Sequence, residues 1–302
     1  MKTQQQHTRV YSCEFFPPKT PKGEERLHSE RAKLAELGPA FFSVTFGAGG
    51  TTRSGTLKTV IETVEQTGIP AAPHLSCVDA TRESLLELLE EYRQADVRQI
   101  VVLRGDLPEG TTSPGEFGHA NELVRFIRQH YGDRFHLEVA CYPEMHPEAP
   151  GPDTDLENFA RKVQEGADSA ITQYFYNADA YEDFVARCEA RGIDLPIVPG
   201  IMPIVGYEQL MRFSDGCGAD IPRWIRMRLK QYQDDTASLQ AFGIEVVTAL
   251  CERLLAAGAP GLHFYTLNRA DPTSTIWRNL GLDRQVNRPR NAAQTRTAAG
   301  GA

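Results

Sequence analysis

The sequence predicts an α/β protein built as a (β/α)8 TIM barrel, with extra helices before its last strand. Eight short runs rich in Val, Ile, Phe and Tyr alternate with longer amphipathic stretches, and Gly or Pro bounds them. The runs start about every 30 residues through the seventh, and such alternation favours parallel strands with right-handed crossovers. The 302 residues also suit this fold, which typically takes about 250.

The predicted strands cover residues 10–16, 41–46, 71–77, 99–104, 136–142, 169–175, 195–201 and 261–267. The interval between the seventh and the eighth is longer than the others. One or two extra helices are therefore expected there. Residues 1–285 are predicted to form a single barrel domain, because no linker interrupts the pattern. Residues 286–302 are polar and small, so we expect a disordered tail.

One helix can be located closely from its apolar stripe. The stripe has helical spacing and consists of Leu85, Leu86, Leu88, Leu89 and Tyr92. Thr81 is placed to cap this helix, and Asp155 and Asp179 are predicted to open two others in the same way.

Composition and charge exclude several classes of protein. The chain carries 32 Lys+Arg against 40 Asp+Glu, a formal net charge of −8, which argues against a general nucleic-acid binder. No apolar run approaches the roughly 18 residues of a membrane span, and the polar N-terminus lacks a signal-peptide core. The six cysteines include no CxxC pair. They predict neither a zinc site nor a disulfide framework, and they favour the cytoplasm.

Polar residues gather at the carboxyl ends of the predicted strands, where barrels of this type place their active sites. They are Glu14, Thr45, His74, Arg104, Gly105, Asp106, Tyr142, His146, Gln173, Tyr265, Asn268 and Arg269. Each has a structural alternative. Glu14 could be a solvated acid, His74 a core histidine, and Arg104 and Asp106 an ion pair. The functional interpretation rests on the set, because nearly every strand contributes a member.

Common catalytic motifs are missing. The glycine-rich segment 46–52 matches neither GxGxxG nor a P-loop, and the chain contains no HExxH and no GxSxG. No HxH follows the first predicted strand, so no metal site is predicted.

Eight motifs in order, from about residue 10 to residue 280, resemble the methylenetetrahydrofolate reductases, in particular their short bacterial form. They are EFFPP at 14–18, SVTFGA at 43–48, APHL at 72–75, LRGD at 103–106, YPEMHP at 142–147, ITQYF at 171–175, PGIMP at 199–203 and HFYTLNR at 263–269.

The resemblance implies a flavoprotein that reduces 5,10-methylenetetrahydrofolate to 5-methyltetrahydrofolate with NADH or NADPH, by a ping-pong hydride relay through FAD. Glu14 matches the general acid that protonates N10 of the folate. We expect burial among Phe15 and Phe16 to raise its pKa. Asp106 matches the aspartate that stabilises the iminium cation, and Gln173 matches the residue that binds the pterin or the nicotinamide.

The family's FAD contacts map onto fifteen residues of this sequence. They are Thr45, Phe46, Ala48, His74, Arg104, Gly105, Asp106, Ala120, Tyr142, His146, Ala149, Asp155, Asn158, Arg161 and Lys162. Its substrate positions map onto Gln173, Gln209, Phe213, Tyr265 and Arg269. Without the resemblance, Arg161 and Lys162 would be a solvated charged helix face. Relatives are often oligomers, so a homo-oligomer is expected.

Two other functions stay open at this point. The barrel could be a different FAD-dependent dehydrogenase, of the proline or amine type, because one fold serves many reactions. It could also be a non-catalytic flavin- or folate-binding barrel.

Overall fold

The computed structural model describes residues 1–46, 53–78, 80–106 and 115–284. Over these residues it has nine strands, all paired in parallel, in the order β7-β6-β5-β4-β3-β2-β1-β9-β8. Their bounds are β1 Val10–Phe15, β2 Phe41–Val44, β3 Ala71–Ser76, β4 Gln99–Leu103, β5 His136–Cys141, β6 Ser169–Thr172, β7 Ile197–Val198, β8 Gly200–Ile201 and β9 Gly261–Tyr265. The predicted disordered tail, residues 286–302, lies outside the described ranges.

Strands β7 and β8 are two halves of the single predicted seventh strand, separated by Pro199. Proline has no N–H to donate to a neighbouring strand, which interrupts the ladder there. The first half pairs with β6 and the second with β9. The Pro199 carbonyl still accepts from the His263 N–H at 2.9 Å. The two halves therefore close the barrel, and the predicted (β/α)8 fold is confirmed.

Most predicted strands run slightly past the carboxyl end that the structure shows. The clearest case is β6, which stops at Thr172 although the apolar run continues to residue 175. The Gln173 N–H still bonds the Cys141 carbonyl at 2.8 Å, and beyond it Tyr174 and Phe175 are buried in the outer core. Apolar residues that pack after the strand extend the pattern beyond the ladder.

Ten α-helices surround the strands in the described ranges. They are α1 Pro21–Ala35, α2 Arg53–Thr67, α3 Arg82–Gln94, α4 Ala120–Tyr131, α5 Pro152–Gln164, α6 Ala178–Ala190, α7 Tyr207–Cys217, α8 Arg223–Gln231, α9 Thr236–Ala257 and α10 Asp271–Asn279. Three of them, α7 to α9, lie between β8 and β9, which confirms the predicted extra helices. No described helix is long and apolar enough to cross a membrane.

The helix starts were predicted with mixed success. Thr81 caps α3 in a capping box, in which its hydroxyl accepts from the Ser84 N–H at 3.2 Å. The prediction for Asp155 is wrong, because α5 begins at Pro152, whose fixed φ suits the first helical position. Asp179 does not open α6 either. The Asn177 side chain caps that helix and accepts from the Asp179 N–H at 3.0 Å.

Side chains of each strand alternate between an outer apolar core and the barrel interior. The outer core between strands and helices buries the predicted α3 stripe at Leu85, Leu88, Leu89 and Tyr92. Inside the barrel, Phe41, Ala72 and Val101 form a small separate apolar cluster. Towards the carboxyl ends of the same strands the interior becomes polar, and the candidate site lies there.

Candidate active site

Glu14 lies at the centre of the polar interior, on the inner face of β1, with its side chain 16% exposed. Its Oε2 atom lies 3.2 Å from His74 Nε2 on β3 and 3.6 Å from His263 Nε2 on β9. The Ser43 hydroxyl on β2 donates to the same oxygen at 3.4 Å. Three other strands therefore hold one carboxylate oxygen.

The pKa of Glu14 differs from the sequence-based expectation. Burial raises it, but the charge of His74 and the hydrogen bond from His263 outweigh burial and lower the pKa to about 2. The predicted rise is therefore wrong. Successive strand residues point to opposite faces, so Phe15 packs outward on Phe42, with ring centroids 4.8 Å apart, and does not surround the carboxyl group.

Sequence reasoning missed the residues that hold Glu14 from behind. His263 is fully buried, and its Nδ1 atom lies 2.7 Å from the Ser12 hydroxyl oxygen. Its Nε2 atom lies 3.4 Å from Ser43 Oγ. A signal was present, because Ser12 precedes Glu14 by two residues and His263 precedes Tyr265 by two. That spacing places each pair on one face of its strand.

Arg104, Gly105 and Asp106 follow β4 at the rim of the barrel. The Arg104 guanidinium forms a two-bond ion pair with Glu148, with Nη2 and Oε1 2.9 Å apart. The structural alternative in which Arg104 pairs with Asp106 is not what the structure shows, because Arg104 pairs with Glu148 from the loop after β5. Gly105 has φ +87°, and a Cβ there would lie 2.0 Å from Ser76 Oγ, so the turn requires glycine. Asp106 is exposed.

The loop after β5 and the first turn of α5 bring together four of the predicted cofactor residues. The rings of Tyr142 and His146 meet edge to face with centroids 4.6 Å apart. The His146 N–H donates to Asp155 Oδ2 at 2.9 Å, and the Ala149 N–H donates to the His146 carbonyl at 2.9 Å. Burial, with the nearby Asp106 and Asp155, raises the pKa of Tyr142.

Helix α5 places the two cationic side chains predicted to contact FAD, Arg161 and Lys162, in different surroundings. Lys162 is half-buried, its Nζ donates to the Ala140 carbonyl at 2.6 Å, and desolvation lowers its pKa. Arg161 is 58% exposed and bonds Asn158 Oδ1 at 2.9 Å. A solvated charged face therefore fits Arg161 and does not fit Lys162.

Tyr265 links Glu14 to the end of β6. Its hydroxyl donates to the Thr172 carbonyl at 2.7 Å, and its ring lies 5.2 Å from that of His263. Burial raises the pKa of Tyr265, and the charge of Glu14 raises it further. The next residue after Thr172 is Gln173, whose side-chain oxygen accepts from the Tyr174 N–H at 3.0 Å.

Gly200 lets Tyr265 occupy this place. A Cβ at position 200 would lie 2.1 Å from the Thr172 carbonyl oxygen and 2.6 Å from Tyr265 Cε2. Replacing Gly200 by Ala should therefore lower the free energy of unfolding by about 1–3 kcal/mol, as overpacking does. Denaturant unfolding tests this against Gly216→Ala in α7, where the added Cβ meets open space. Equal effects of the two substitutions would contradict this role for Gly200.

The predicted substrate residues lie on α7 and after β9. Gln209 and Phe213 are four residues apart, so they share one face of α7. Arg269 follows Leu267 and Asn268, which both have positive φ, an uncommon conformation that costs free energy outside glycine. The Asn268 side chain bonds both backbone groups of Phe16, at 3.0 and 2.9 Å, and so ties this strained turn to the end of β1.

The remaining predicted cofactor residues are more scattered. Thr45 directly follows β2, and its N–H donates to the Phe15 carbonyl at 2.9 Å. Phe46 comes next and is half-buried, and Ala120 is the first residue of α4. Ala48 lies outside the described residues.

The donor set fits an anionic dinucleotide such as FAD. Burial lowers the pKa of His146, and the charges of Arg104 and Lys162 lower it further, against the opposite effect of Asp155. Cationic and hydrogen-bond-donating side chains such as these three are the groups that bind phosphate oxygens. Among the described residues no cluster of His, Cys, Asp and Glu could hold a metal ion.

Comparisons with known proteins agree with this architecture. The family model described as methylenetetrahydrofolate reductase matches residues 1–281. The 5,10-methylenetetrahydrofolate reductase of Pectobacterium carotovorum is 40% identical over 278 residues, covering 92% of each chain. That of Escherichia coli K12 is 39% identical over 271 residues, covering 90% of each.

A solved structure gives independent support for the fold. It is an uncharacterized protein from Clostridium thermocellum described as binding two copies of 5-methyl-5,6,7,8-tetrahydrofolic acid. It superposes with a TM-score of 0.64 at 16% identity and covers 94% of this chain and 98% of its own. The fold and the family match together lead to one assignment: the chain belongs to the methylenetetrahydrofolate reductase family.

Proposed function

We propose that the chain reduces 5,10-methylenetetrahydrofolate to 5-methyltetrahydrofolate with NADH or NADPH. Two relatives with that enzyme's name are 40% and 39% identical to this chain, and the alignments cover 92% and 90% of their length. The observation that carries the proposal is the carboxyl group of Glu14, held in the barrel mouth by His74, Ser43 and His263. This reaction needs an acid beside the folate, and we propose that Glu14 is that acid.

The proposed cofactor is FAD, which when bound supplies the acceptor and donor of the hydride. Arg104, His146 and Lys162 are the groups that we propose for its phosphates. Thr45, Phe46, His74, Gly105, Asp106, Ala120, Tyr142, Ala149, Asp155, Asn158 and Arg161 complete the proposed contacts, and Ala48 belongs to the same set by sequence.

Each proposed catalytic residue has a chemical task. Glu14 protonates the departing nitrogen N10 of the folate, which opens the five-membered ring to a 5-iminium cation. The carboxylate of Asp106 stabilises this cation through its negative charge. Gln173 can donate and accept hydrogen bonds through its amide, and we propose that it orients the pterin and the nicotinamide in turn.

The substrate side of the proposed site has a free cation. Among the described residues the Arg269 guanidinium forms no hydrogen bond or ion pair, so it is available to an anionic folate or nucleotide. Phe213 offers a ring that Arg212 already covers at 5.5 Å, and Gln209 and Tyr265 add polar groups. We propose that these side chains hold whichever substrate is bound.

A steady-state assay of the FAD-loaded protein tests the proposed function. Oxidation of NADH or NADPH should depend on 5,10-methylenetetrahydrofolate and yield one 5-methyltetrahydrofolate per nucleotide. Activity with proline or an amine, and none with the folate, would instead indicate another flavin dehydrogenase. Bound FAD that neither nucleotide reduces would indicate a non-catalytic binding barrel.

The Arg104–Glu148 ion pair leads to a prediction for cofactor affinity. Arg104→Ala should weaken FAD binding by about 10–100-fold, as loss of charged hydrogen bonds does. Glu148→Gln should strengthen it, because the Glu148 carboxylate competes with the diphosphate for Arg104. Quenching of flavin fluorescence measures both affinities.

The matched control for this prediction is Arg125→Ala, which breaks an exposed arginine–glutamate pair with Glu165 away from the site. It should leave FAD affinity unchanged. Wild-type affinity in the Arg104→Ala protein would remove Arg104 from the cofactor site.

We also propose that residues 1–285 act as one catalytic unit and that the protein is a cytoplasmic homo-oligomer. All six cysteines are unpaired, which suits a reducing compartment. Trp224 and Met227 lie one turn apart on α8 and are 60% and 52% exposed, which is unusual for large apolar side chains. Light scattering of the purified protein measures the oligomeric state.

A further inference from the structure

His263 is a buried base inside the barrel, and no part of its side chain reaches solvent. Buried histidines in protein cores commonly bond backbone carbonyls. Here both ring nitrogens instead face side chains. Nδ1 lies 2.7 Å from Ser12 Oγ, and Nε2 lies 3.4 Å from Ser43 Oγ and 3.6 Å from Glu14 Oε2.

The side chains of Ser12, His263, Ser43 and Glu14 form a hydrogen-bonded chain that ends at the proposed acid. Ser12 and Glu14 are both on β1, His263 is on β9, and Ser43 is on β2, so the chain spans three adjacent strands. The rigid barrel fixes their order, with Ser12 at the far end and the partly exposed Glu14 at the mouth. The Ser43 hydroxyl lies 3.4 Å from both His263 Nε2 and Glu14 Oε2, which places it between them.

Glu14 presents a chemical difficulty that this chain can resolve. In the structure Glu14 is a carboxylate. Burial raises its pKa, but the neighbouring His74 and His263 outweigh burial and lower the pKa to about 2. A general acid must carry a proton when N10 departs. The proton has to be stored close by and transferred when the substrate covers the carboxyl group.

We propose that His263, oriented by Ser12, is a positioning residue that holds this proton and returns it to Glu14 through Ser43. The inference rests on the proposed function. Ser12 accepts from Nδ1–H, so that Nε2–H points towards Ser43 and Glu14. Ser43 then donates to Oε2 while it accepts from Nε2.

The transfer balances in protons and bonds. The Nε2–H bond of the imidazolium breaks, the Ser43 O–H is exchanged, and an O–H bond forms on Glu14 Oε2. That O–H bond breaks as the N10–H bond forms on the folate. His263 is left as a neutral imidazole with Nδ1–H bonded to Ser12. One proton per turnover returns to it from solvent by the reverse route, through the partly exposed Glu14 and then Ser43.

Other titratable groups also face this chain. Within the described ranges, Glu14 is faced by His74 from β3 and by His263 and Tyr265 from β9. His263 is faced by Glu14, Tyr265 and the Phe41 ring, whose centroid lies 6.2 Å away. His74 can supply part of the same charge, so a variant of His263 should weaken the effect without removing it entirely.

The test compares three variants. His263→Gln keeps an amide near the Nε2 position but cannot be protonated, and Ser12→Ala removes only the partner of Nδ1. Phe41→Leu, in the same interior layer, changes packing on His263 and leaves the chain intact. Thermal unfolding shows which variants fold.

Two readouts separate a proton-holding role from a structural one. Carboxyl-¹³C NMR of the protein without substrate follows Glu14 directly, and its pKa should rise in His263→Gln towards the ordinary value of about 4.3. Single-turnover reduction of the folate should slow by about 10–100-fold, whereas NADH oxidation with an artificial acceptor should change by less than about twofold. Ser12→Ala should show smaller shifts in the same direction, and Phe41→Leu should show neither.

Unchanged titration of Glu14 and an unchanged folate rate in folded His263→Gln would overturn the inference. Equal loss in both half-reactions would do so as well, because it indicates a structural role. If His263→Gln does not fold, the same two outcomes in Ser12→Ala decide the matter. A wild-type protein inactive with methylenetetrahydrofolate would defeat the proposed function. The NMR titration of Glu14 would still show whether His263 acts on Glu14 through the hydrogen-bonded chain.

Discussion

Replacing Glu14 by Gln should slow methylenetetrahydrofolate reduction by about 10²–10⁴-fold, the usual contribution of a general acid. Glutamine preserves the shape and can hydrogen-bond His74 and His263, but it has no proton to give to N10. Oxidation of NADH or NADPH with an artificial acceptor should stay near the wild-type rate, because that half-reaction needs no acid at this place. Stopped-flow measurement of the two half-reactions gives both rates.

The barrel offers a matched control for this substitution. Glu138 is also a buried interior carboxyl group, on β5, 4% exposed and bonded by the Ser169 hydroxyl at 3.0 Å. Glu138→Gln should leave folate reduction unchanged. An equal loss of both half-reactions in Glu14→Gln would show that Glu14 has no specific part in protonating the folate.

Replacing Asp106 by Asn should slow folate reduction by roughly 10²-fold, since one charge aimed at the reacting centre is worth this much. The substitution keeps the side chain's size and removes the negative charge that we propose stabilises the iminium cation. Stopped-flow measurement of the folate half-reaction gives this rate.

Asp153→Asn is the control for Asp106, because Asp153 is 81% exposed on α5 and pairs with Arg187. It should leave the folate rate unchanged. A folate rate at the wild-type value in Asp106→Asn would show that this charge does not act on the substrate.

The barrel itself was predictable, because period-2 strands and 3.6-period helices are local features of the chain. The α3 stripe ending at Tyr92 and its Thr81 cap are examples. The interruption at Pro199 was less evident, since one apolar run covers both β7 and β8. The split depends on which neighbour each half pairs with, and the sequence does not contain that information locally.

The sequence indicated that Glu14 and His74 lie together at the barrel mouth, but it did not indicate their electrostatics. Alternation along β1 and β9 could have placed Ser12 and His263 beside Glu14, but it could not show that two histidines share one oxygen. The pKa of Glu14 depends on those long-range contacts, so neighbours in sequence indicated the wrong direction. The Glu148 partner of Arg104 lies 44 positions away, and the Lys162–Ala140 bond also joins separate elements.

Single-turnover oxidation of the reduced cofactor by the folate tests the proposed activity most directly. The FAD-loaded protein is reduced with one equivalent of NADH or NADPH without oxygen and is then mixed with 5,10-methylenetetrahydrofolate. We expect the absorbance of the oxidised cofactor to return as an equal amount of 5-methyltetrahydrofolate forms. A cofactor that stays reduced, with no methyl product, would contradict the assignment of this barrel as a working methylenetetrahydrofolate reductase.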